Sequence, residues 1–258
     1  MIPTLLLSLL LGCDPVQTPG QAVEVQLLLG GADADGLPPS QQLTSAGWEV
    51  RLDQAQIVLG PIYLYDGEPM ASRTPVQRAL GVVMPSAQAC ATHAQHSYGE
   101  VLSELREQHL VDLLAPTPLD AGWHGGLAGE IRSAEVQLHP PGTVALAATY
   151  EALAPLEGHT LWLAGEARRD QQVRPFEVKM DLPDDASWRI VESIAVDGVP
   201  LDGQSALLIQ ARVDLWLDAV DFDQVGADGQ IVEDSQPWNA LQLGVRSRYA
   251  WQVSEVSP

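Results

Sequence analysis

Residues 48–59 read Trp-Glu-Val-Arg-Leu-Asp-Gln-Ala-Gln-Ile-Val-Leu, and apolar and polar side chains alternate along most of this stretch. The apolar phase that begins at Trp48 slips near Asp53-Gln54 and resumes at Ala55. A period of two places successive side chains on opposite faces of a strand, so that one face is buried and the other is wet. The slip in phase predicts a β-bulge, or a break between two strands.

The same alternation recurs along the rest of the chain, punctuated by Gly, Pro and Asp. One buried and one wet face is typical of antiparallel sheets. Stretches of this kind predict about nine or ten strands, and therefore a mainly β fold, an antiparallel β-sandwich or a barrel-like sheet. The further stretches with this pattern are residues 23–29, 134–138, 176–182, 209–217 and 241–253.

One segment has the features of a helix instead. Ser97-Tyr98-Gly99-Glu100 matches a capping box, and apolar residues follow at helical spacing at positions 101, 102 and 105. We expect this helix to end near Leu114, before Pro116, because a proline disfavours helical backbone in the residue before it. Strand patterns are sparse around it, which predicts one short helical insertion with loops, over about residues 69–129.

The charge balance narrows the range of partners. The chain of 258 residues has a formal net charge of −21, and Lys179 is its only lysine. Binding to nucleic acid depends on clusters of Lys and Arg that neutralise phosphates, so this class of function is excluded. The same negative field repels anionic lipid surfaces and attracts cations, including metal ions.

The amino terminus has the pattern of an export signal. Residues 2–12 are almost entirely apolar and precede Cys13. As a helix this run would reach only about 17 Å, whereas the hydrocarbon core of a bilayer is about 30 Å thick. The run is therefore too short to span a membrane and is typical of the apolar part of a signal peptide.

Leu10-Leu11-Gly12-Cys13 resembles the lipobox of bacterial lipoproteins. The resemblance implies that the Cys13 thiol accepts lipid and that the chain is cleaved before it. It predicts a signal peptide over residues 1–12, a Pro/Gly-rich tether over 13–21 and a β domain over 22–258. The expected location is the bacterial cell envelope, where the lipid holds the protein on a membrane.

Cys90-Ala-Thr-His93-Ala-Gln-His96 is the strongest candidate for a chemical site. Thiolate and imidazole are ligands that Zn²⁺ and copper prefer over carboxylate. His124, within Trp-His-Gly-Gly, is a candidate fourth ligand. Lipid on Cys13 would leave Cys90 without a disulfide partner in an oxidising compartment, which favours burial, metal binding or reactivity. The alternative is that Cys90 is a small buried apolar residue.

Other residues point less clearly to a function. The spacing of Asp221 and Asp223 begins like a calcium-binding EF-hand, but Val232 stands where that loop requires an acid, so we predict an acidic turn.

Nucleophile elbows, zinc-protease motifs and phosphate loops are absent from the sequence, so no enzyme is predicted, although a hydrolase without a visible motif stays open. The remaining histidines, expected at the surface or at strand ends, are His109, His139 and His159.

The tryptophans supply an alternative function. Exposed tryptophans on a β-sandwich can stack on sugars or anchor a protein interface, so a non-enzymatic adhesion or ligand-recognition module is the second hypothesis. It requires at least two tryptophans on one exposed surface. Trp48, Trp216 and Trp251 lie on the apolar phase of predicted strands and are expected in the core. Those in loop-like contexts, which could face solvent, are Trp123, Trp188 and Trp238.

Overall fold

The computed structural model describes residues 20–33, 35–36, 39–69, 99–142, 147 and 150–256, and it is mainly β, as the alternation predicts. Its strands are β1 (Ala22–Ala32), β2 (Gln41–Leu43), β3 (Glu49–Leu59), β4 (Ile62–Tyr65), β5 (Val101–Leu105), β6 (His109–Asp112), β7 (Leu119–Leu127), β8 (Gly129–Gln137), β9 (Leu161–Arg169), β10 (Gln172–Met180), β11 (Ile190–Leu201), β12 (Gln204–Arg212) and β13 (Trp251–Val256). The helices are α1 (Tyr150–Leu153), α2 (Ala186–Arg189), α3 (Val213–Leu217) and α4 (Gln236–Val245), and 3-10 turns cover Ala154–Leu156, Phe222–Gln224 and Arg248–Ala250.

The larger sheet has eight strands in the order β11-β8-β4-β5-β7-β1-β12-β13. Its pairings are antiparallel except for that of β1 with β12, which is parallel. The two end strands, β11 and β13, lie against each other. The sheet therefore curls into a nearly closed, barrel-like form, which leaves little free edge for pairing with other chains.

The smaller sheet has five strands, in the order β10-β9-β3-β2, with β6 paired to β3 outside this path. Apolar side chains from both sheets form one core cluster, and Trp48, Val50 and Ile57 of the opening stretch belong to it. The predicted slip is a real irregularity, because the register between β3 and β9 shifts between Leu52 and Gln54. The bulge prediction is therefore confirmed.

Gly165 lies on β9 opposite Leu52, next to this bulge. A Cβ atom at Gly165 would collide with the backbone carbonyl oxygen of Arg51. We expect Gly165→Ala to lower the free energy of unfolding by about 3 kcal/mol, because a backbone clash in a packed sheet must be relieved by moving a strand. Urea unfolding monitored by circular dichroism measures this loss. The matched control is Gly203→Ala, whose Cβ would have no neighbour within 4 Å, and equal stability of the two variants would refute the prediction.

The helix predicted over residues 97–114 is wrong, because the strands β5 and β6 occupy half of this range and none of its described residues is helical. The Glu100 N–H donates to Asp66 Oδ1 at 2.7 Å, and β5 then pairs with β4. Apolar residues at positions 101, 102 and 105 fit a helix, but long-range strand pairing overrides so short a local pattern. Residues 101–105, 109–112 and 119–127 of the predicted insertion thus belong to the two sheets.

The strands predicted over residues 209–217 and 241–253 are shorter in the structure than the alternation indicates. The alternation over 209–217 forms β12 only as far as Arg212, and α3 follows. Most of the long alternation over 241–253 is wrong, because α4 covers its first part and only β13 is a strand. Ser235 caps α4 by accepting the Trp238 N–H at 3.3 Å. The buried positions 237, 241 and 245 recur every four residues, which is a helical spacing.

The described helices include none that is long and apolar enough to cross a membrane.

Candidate functional site

His124 is the predicted ligand that lies within the described residues. Cys13, Cys90, His93 and His96 fall outside them. On β7, His124 is the cross-strand partner of Val25, which is fully buried. Directly opposed residues of an antiparallel pair share a face. The half-buried His124 side chain is therefore directed to the inner side of the barrel-like sheet.

Glycines surround His124 on the inner face of β7. Gly122 and Gly126 are the cross-strand partners of Leu27 and Val23, which are buried in the core. A Cβ at Gly126 would come within 2.9 Å of the carbonyl oxygen of Leu102. Glycine at this position thus allows β5 to approach β7 closely. On this inner face, His124 is the one bulky side chain between Gly122 and Gly126, because Trp123 points to the other face.

The contact between β5 and β7 is short. Ser103 and Gly126 are the residue pair that joins the two strands in the described structure. The chain then leaves the larger sheet, and β6 pairs with β3 of the smaller sheet. The chain between β5 and β6 therefore crosses from the larger sheet to the smaller one.

His109, at the start of β6, is the residue that sequence reasoning missed. It is the cross-strand partner of the fully buried Leu59, and it is itself only 7% exposed. The Nε2 atom of its imidazole is buried without a hydrogen-bond partner among the described residues. His109 lies at a strand end, which was one of the two predicted positions. The other prediction, a surface position, is wrong, because pairing with β3 turns the His109 side chain into the core.

Electrostatics relate the two histidines. Burial lowers the pKa of His109, Glu107 raises it, and the positive charge of a protonated His124 lowers it further. His109 is therefore held in the neutral form, which is the form that binds metal ions. The Nε2 atom of His124 lies 3.2 Å from the carbonyl oxygen of Ala121. The described residues contain no group of three or more His, Cys, Asp or Glu side chains that could hold a metal ion.

The remaining histidines have local partners. The Nε2 atom of His139 lies 3.2 Å from Gln137 Oε1 at the end of β8. The Nδ1 atom of His159 lies 3.0 Å from Asp181 Oδ2, and the side chain of His159 is 39% exposed. These two positions agree with the predicted strand-end and surface roles.

The acidic turn near the carboxyl end uses its carboxylates for local structure, as predicted. Asp221 caps a 3-10 turn by accepting the N–H of Asp223, which in turn forms an ion pair with Arg169 at 2.5 Å. Asp228 accepts the N–H of Gln230 at 3.2 Å. These carboxylates therefore stabilise turns or form an ion pair with Arg169.

A polar cavity lies where the described chain begins. It has a volume of about 470 Å³, and its lining includes Gly20, Glu100, Glu130 and Arg132. Asp66 also lines it and, through its bonds with Glu100, holds together the two ends of the segment that contains Cys90. Sequence reasoning did not identify this cavity, because its residues come from distant parts of the chain.

The tryptophans are mostly enclosed. The prediction for Trp48, Trp216 and Trp251 is confirmed, because each is at most 3% exposed. Trp188 and Trp238 are partly buried. Trp123 is 50% exposed and is the single exposed tryptophan. A stacking platform of two or more exposed tryptophans is therefore not formed.

Comparisons with known proteins give one likeness. No family model matches the chain, and no curated protein matches it. Among solved structures, the fold is similar to MbnP from Methylosinus trichosporium, with 11% sequence identity and a TM-score of 0.46. The superposition covers 92% of this chain and 99% of that chain.

Proposed function

We propose that this protein is a lipid-anchored lipoprotein of the bacterial envelope that binds a transition metal ion, Zn²⁺ or copper. The lipobox over residues 10–13 supports the anchor. The net charge of −21 favours the accumulation of cations near the domain.

The observation that carries the metal proposal is the pair of inward-directed histidines, His109 and His124. A buried imidazole nitrogen without a partner costs about 1–3 kcal/mol. Such a cost at His109 calls for a compensating role, and coordination of a metal ion supplies one. His124 on β7 is a further candidate ligand, because it acts electrostatically on His109, and the glycines beside it leave space around its ring.

Two imidazoles do not complete a stable site for Zn²⁺, which takes about four ligands. We propose that Cys90, His93 and His96 supply the rest. The segment that contains them has its two ends joined at Asp66 and Glu100. A thiolate with several imidazoles is a donor set that suits Zn²⁺ or copper better than Mg²⁺ or Ca²⁺.

Metal content of the purified protein tests this proposal. The protein is incubated with Zn²⁺, and in parallel with Cu⁺, passed over a desalting column and analysed for bound metal. We expect the wild type to retain about one equivalent and His124→Ala and Cys90→Ala to retain far less, because each loses a ligand. His159→Ala is the matched control, since its ring is held by Asp181. Equal metal content in wild type, His124→Ala and Cys90→Ala would refute the proposal.

Replacement of His109 by leucine distinguishes two possible roles of this residue, a metal ligand and a structural residue of the core. Without metal, His109→Leu is expected to be about 1 kcal/mol more stable than the wild type, because a buried unpaired nitrogen is removed. At a free metal concentration about 100 times the dissociation constant, the wild type should gain about 2.7 kcal/mol. His109→Leu should lose most of this gain in urea unfolding. An unchanged metal-dependent gain would remove His109 from the site.

A further inference from the structure

Cationic side chains on this acidic protein are mostly neutralised by a neighbouring carboxylate. A positive side chain that has no such partner is therefore unusual here. The described cations outside any ion pair with described residues are Arg174, Arg246 and Arg248. Those in ion pairs are Arg51, Arg106, Arg132, Arg168, Arg169, Lys179, Arg189 and Arg212.

Arg246, at the end of α4, stacks on an aromatic ring. Its guanidinium carbon lies 3.8 Å from the centre of the Trp188 ring, and its Nη2 donates to the carbonyl oxygen of Ser187 at 2.9 Å. Its Nε atom is buried without a hydrogen-bond partner in the described structure. Asp185 influences it electrostatically, but this carboxylate caps α2 by accepting from the backbone and hydroxyl of Ser187. Burial lowers the pKa of Arg246 from its ordinary value.

Arg248 repeats this arrangement two residues later. Its guanidinium carbon lies 4.8 Å from the centre of the Tyr249 ring, and its Nη2 donates to the Tyr249 hydroxyl at 2.7 Å. Tyr249 is 70% exposed. Leu243, which is 61% exposed, lies one turn before Arg246 and therefore on the same side of the helix end. We call Trp188, Leu243, Arg246, Arg248 and Tyr249 the arginine–aromatic surface.

We propose that the arginine–aromatic surface is a docking site for a polypeptide segment that carries carboxylates next to apolar side chains. Arginine, tryptophan and tyrosine are the residues most enriched at the energetic centres of protein interfaces. Neither Arg246 nor Arg248 forms an ion pair with a described carboxylate, so each guanidinium group can form charge-assisted hydrogen bonds to a carboxylate of the partner. Leu243 and the Tyr249 ring offer apolar area beside them.

Charge favours a peptide segment over an anionic membrane. The net charge of −21 opposes the approach of any extended negative surface. A peptide segment contacts only the local surface, because exposed charges are screened beyond about 8 Å at physiological ionic strength. The surface therefore selects a small acidic element by its immediate contacts.

Fluorescence anisotropy with defined peptides tests this inference. The probe is a labelled octapeptide of alternating Leu and Glu, compared with the same peptide carrying Gln in place of Glu. We expect the Glu peptide to bind the full protein at least about tenfold more tightly than the Gln peptide, because two charge-assisted contacts exceed the 1.4 kcal/mol that a factor of ten requires. Arg246→Gln/Arg248→Gln should lose this preference. Arg51→Gln/Arg106→Gln, which removes two paired surface arginines, should keep it.

Arg248→Gln and Tyr249→Ser are included as single variants. Tyr249 is exposed, Arg248 is only partly buried, and neither belongs to the core, so the fold should persist. Each is expected to weaken binding of the Glu peptide severalfold. Equal binding of the two peptides, unchanged binding by the double variant, or tighter binding to vesicles of phosphatidylglycerol than to the Glu peptide would overturn the proposal. None of these results depends on a bound metal ion.

Discussion

Trp216→Ala is expected to lower the free energy of unfolding by about 4 kcal/mol, the usual cost of removing a large aromatic side chain from a core. Trp216 lies on α3 and is fully buried. Its ring is 5.7 Å from that of Trp251 on β13. A Cβ atom added at Gly244 of α4 would come within 2.7 Å of the Trp216 backbone, so α4 packs closely on α3 at this point. Trp216 therefore joins both helices to the barrel-like sheet. Urea unfolding monitored by circular dichroism gives the magnitude.

Trp216→Phe refines this test. The indole Nε1 of Trp216 is buried without a hydrogen-bond partner in the described structure, so phenylalanine removes a polar group that gains nothing from burial. We expect this variant to lose less than about 2 kcal/mol, because most of the aromatic volume is kept. Trp123→Ala, at the exposed tryptophan, should change stability by less than about 0.5 kcal/mol. A loss below about 1 kcal/mol for Trp216→Ala would contradict the packing described above.

Cys13→Ser is expected to release the protein from the membrane fraction. The apolar run before Cys13 is too short to span a bilayer, so the proposed anchor would depend on acyl chains, each buried methylene of which contributes about 0.8 kcal/mol. The wild type should sediment with membranes and incorporate labelled fatty acid, whereas Cys13→Ser should do neither. Cys90→Ser is the matched control and should remain on the membrane. Sedimentation of Cys13→Ser with the membranes at the wild-type level would rule out the anchor at this residue.

The sequence predicts the fold well where alternation is long and one face is buried. The stretch at residues 48–59 predicts both a strand and its bulge, because Trp48, Val50 and Ile57 must reach one core. The same rule fails over residues 241–253, where a helix and a strand happen to share odd-numbered apolar positions. The capping residue Ser235 and Pro237 in the first turn of α4 are the local signals that could have separated them.

The candidate site is only partly visible in the sequence. The glycines after His124 predict that the His124 ring has space around it. In the structure this ring lies on the inner side of the barrel-like sheet, opposite Val25. His109 carries no comparable signal, because its burial depends on pairing with Leu59, about fifty residues earlier in the chain. The local pattern over residues 97–114 predicts a helix that includes His109, so its inward position on β6 could not be inferred from the sequence.

The most direct test of the proposed function is an X-ray absorption spectrum of the metal-loaded protein, recorded for the zinc form and the copper form. The account predicts nitrogen scatterers at about 2.0–2.1 Å with the outer-shell pattern of at least two imidazoles, and a sulfur scatterer at about 2.3 Å. The imidazole signal should fall in His124→Ala and in His109→Leu. A first shell of oxygen atoms alone, with no imidazole pattern in the wild type, would contradict metal binding by these residues.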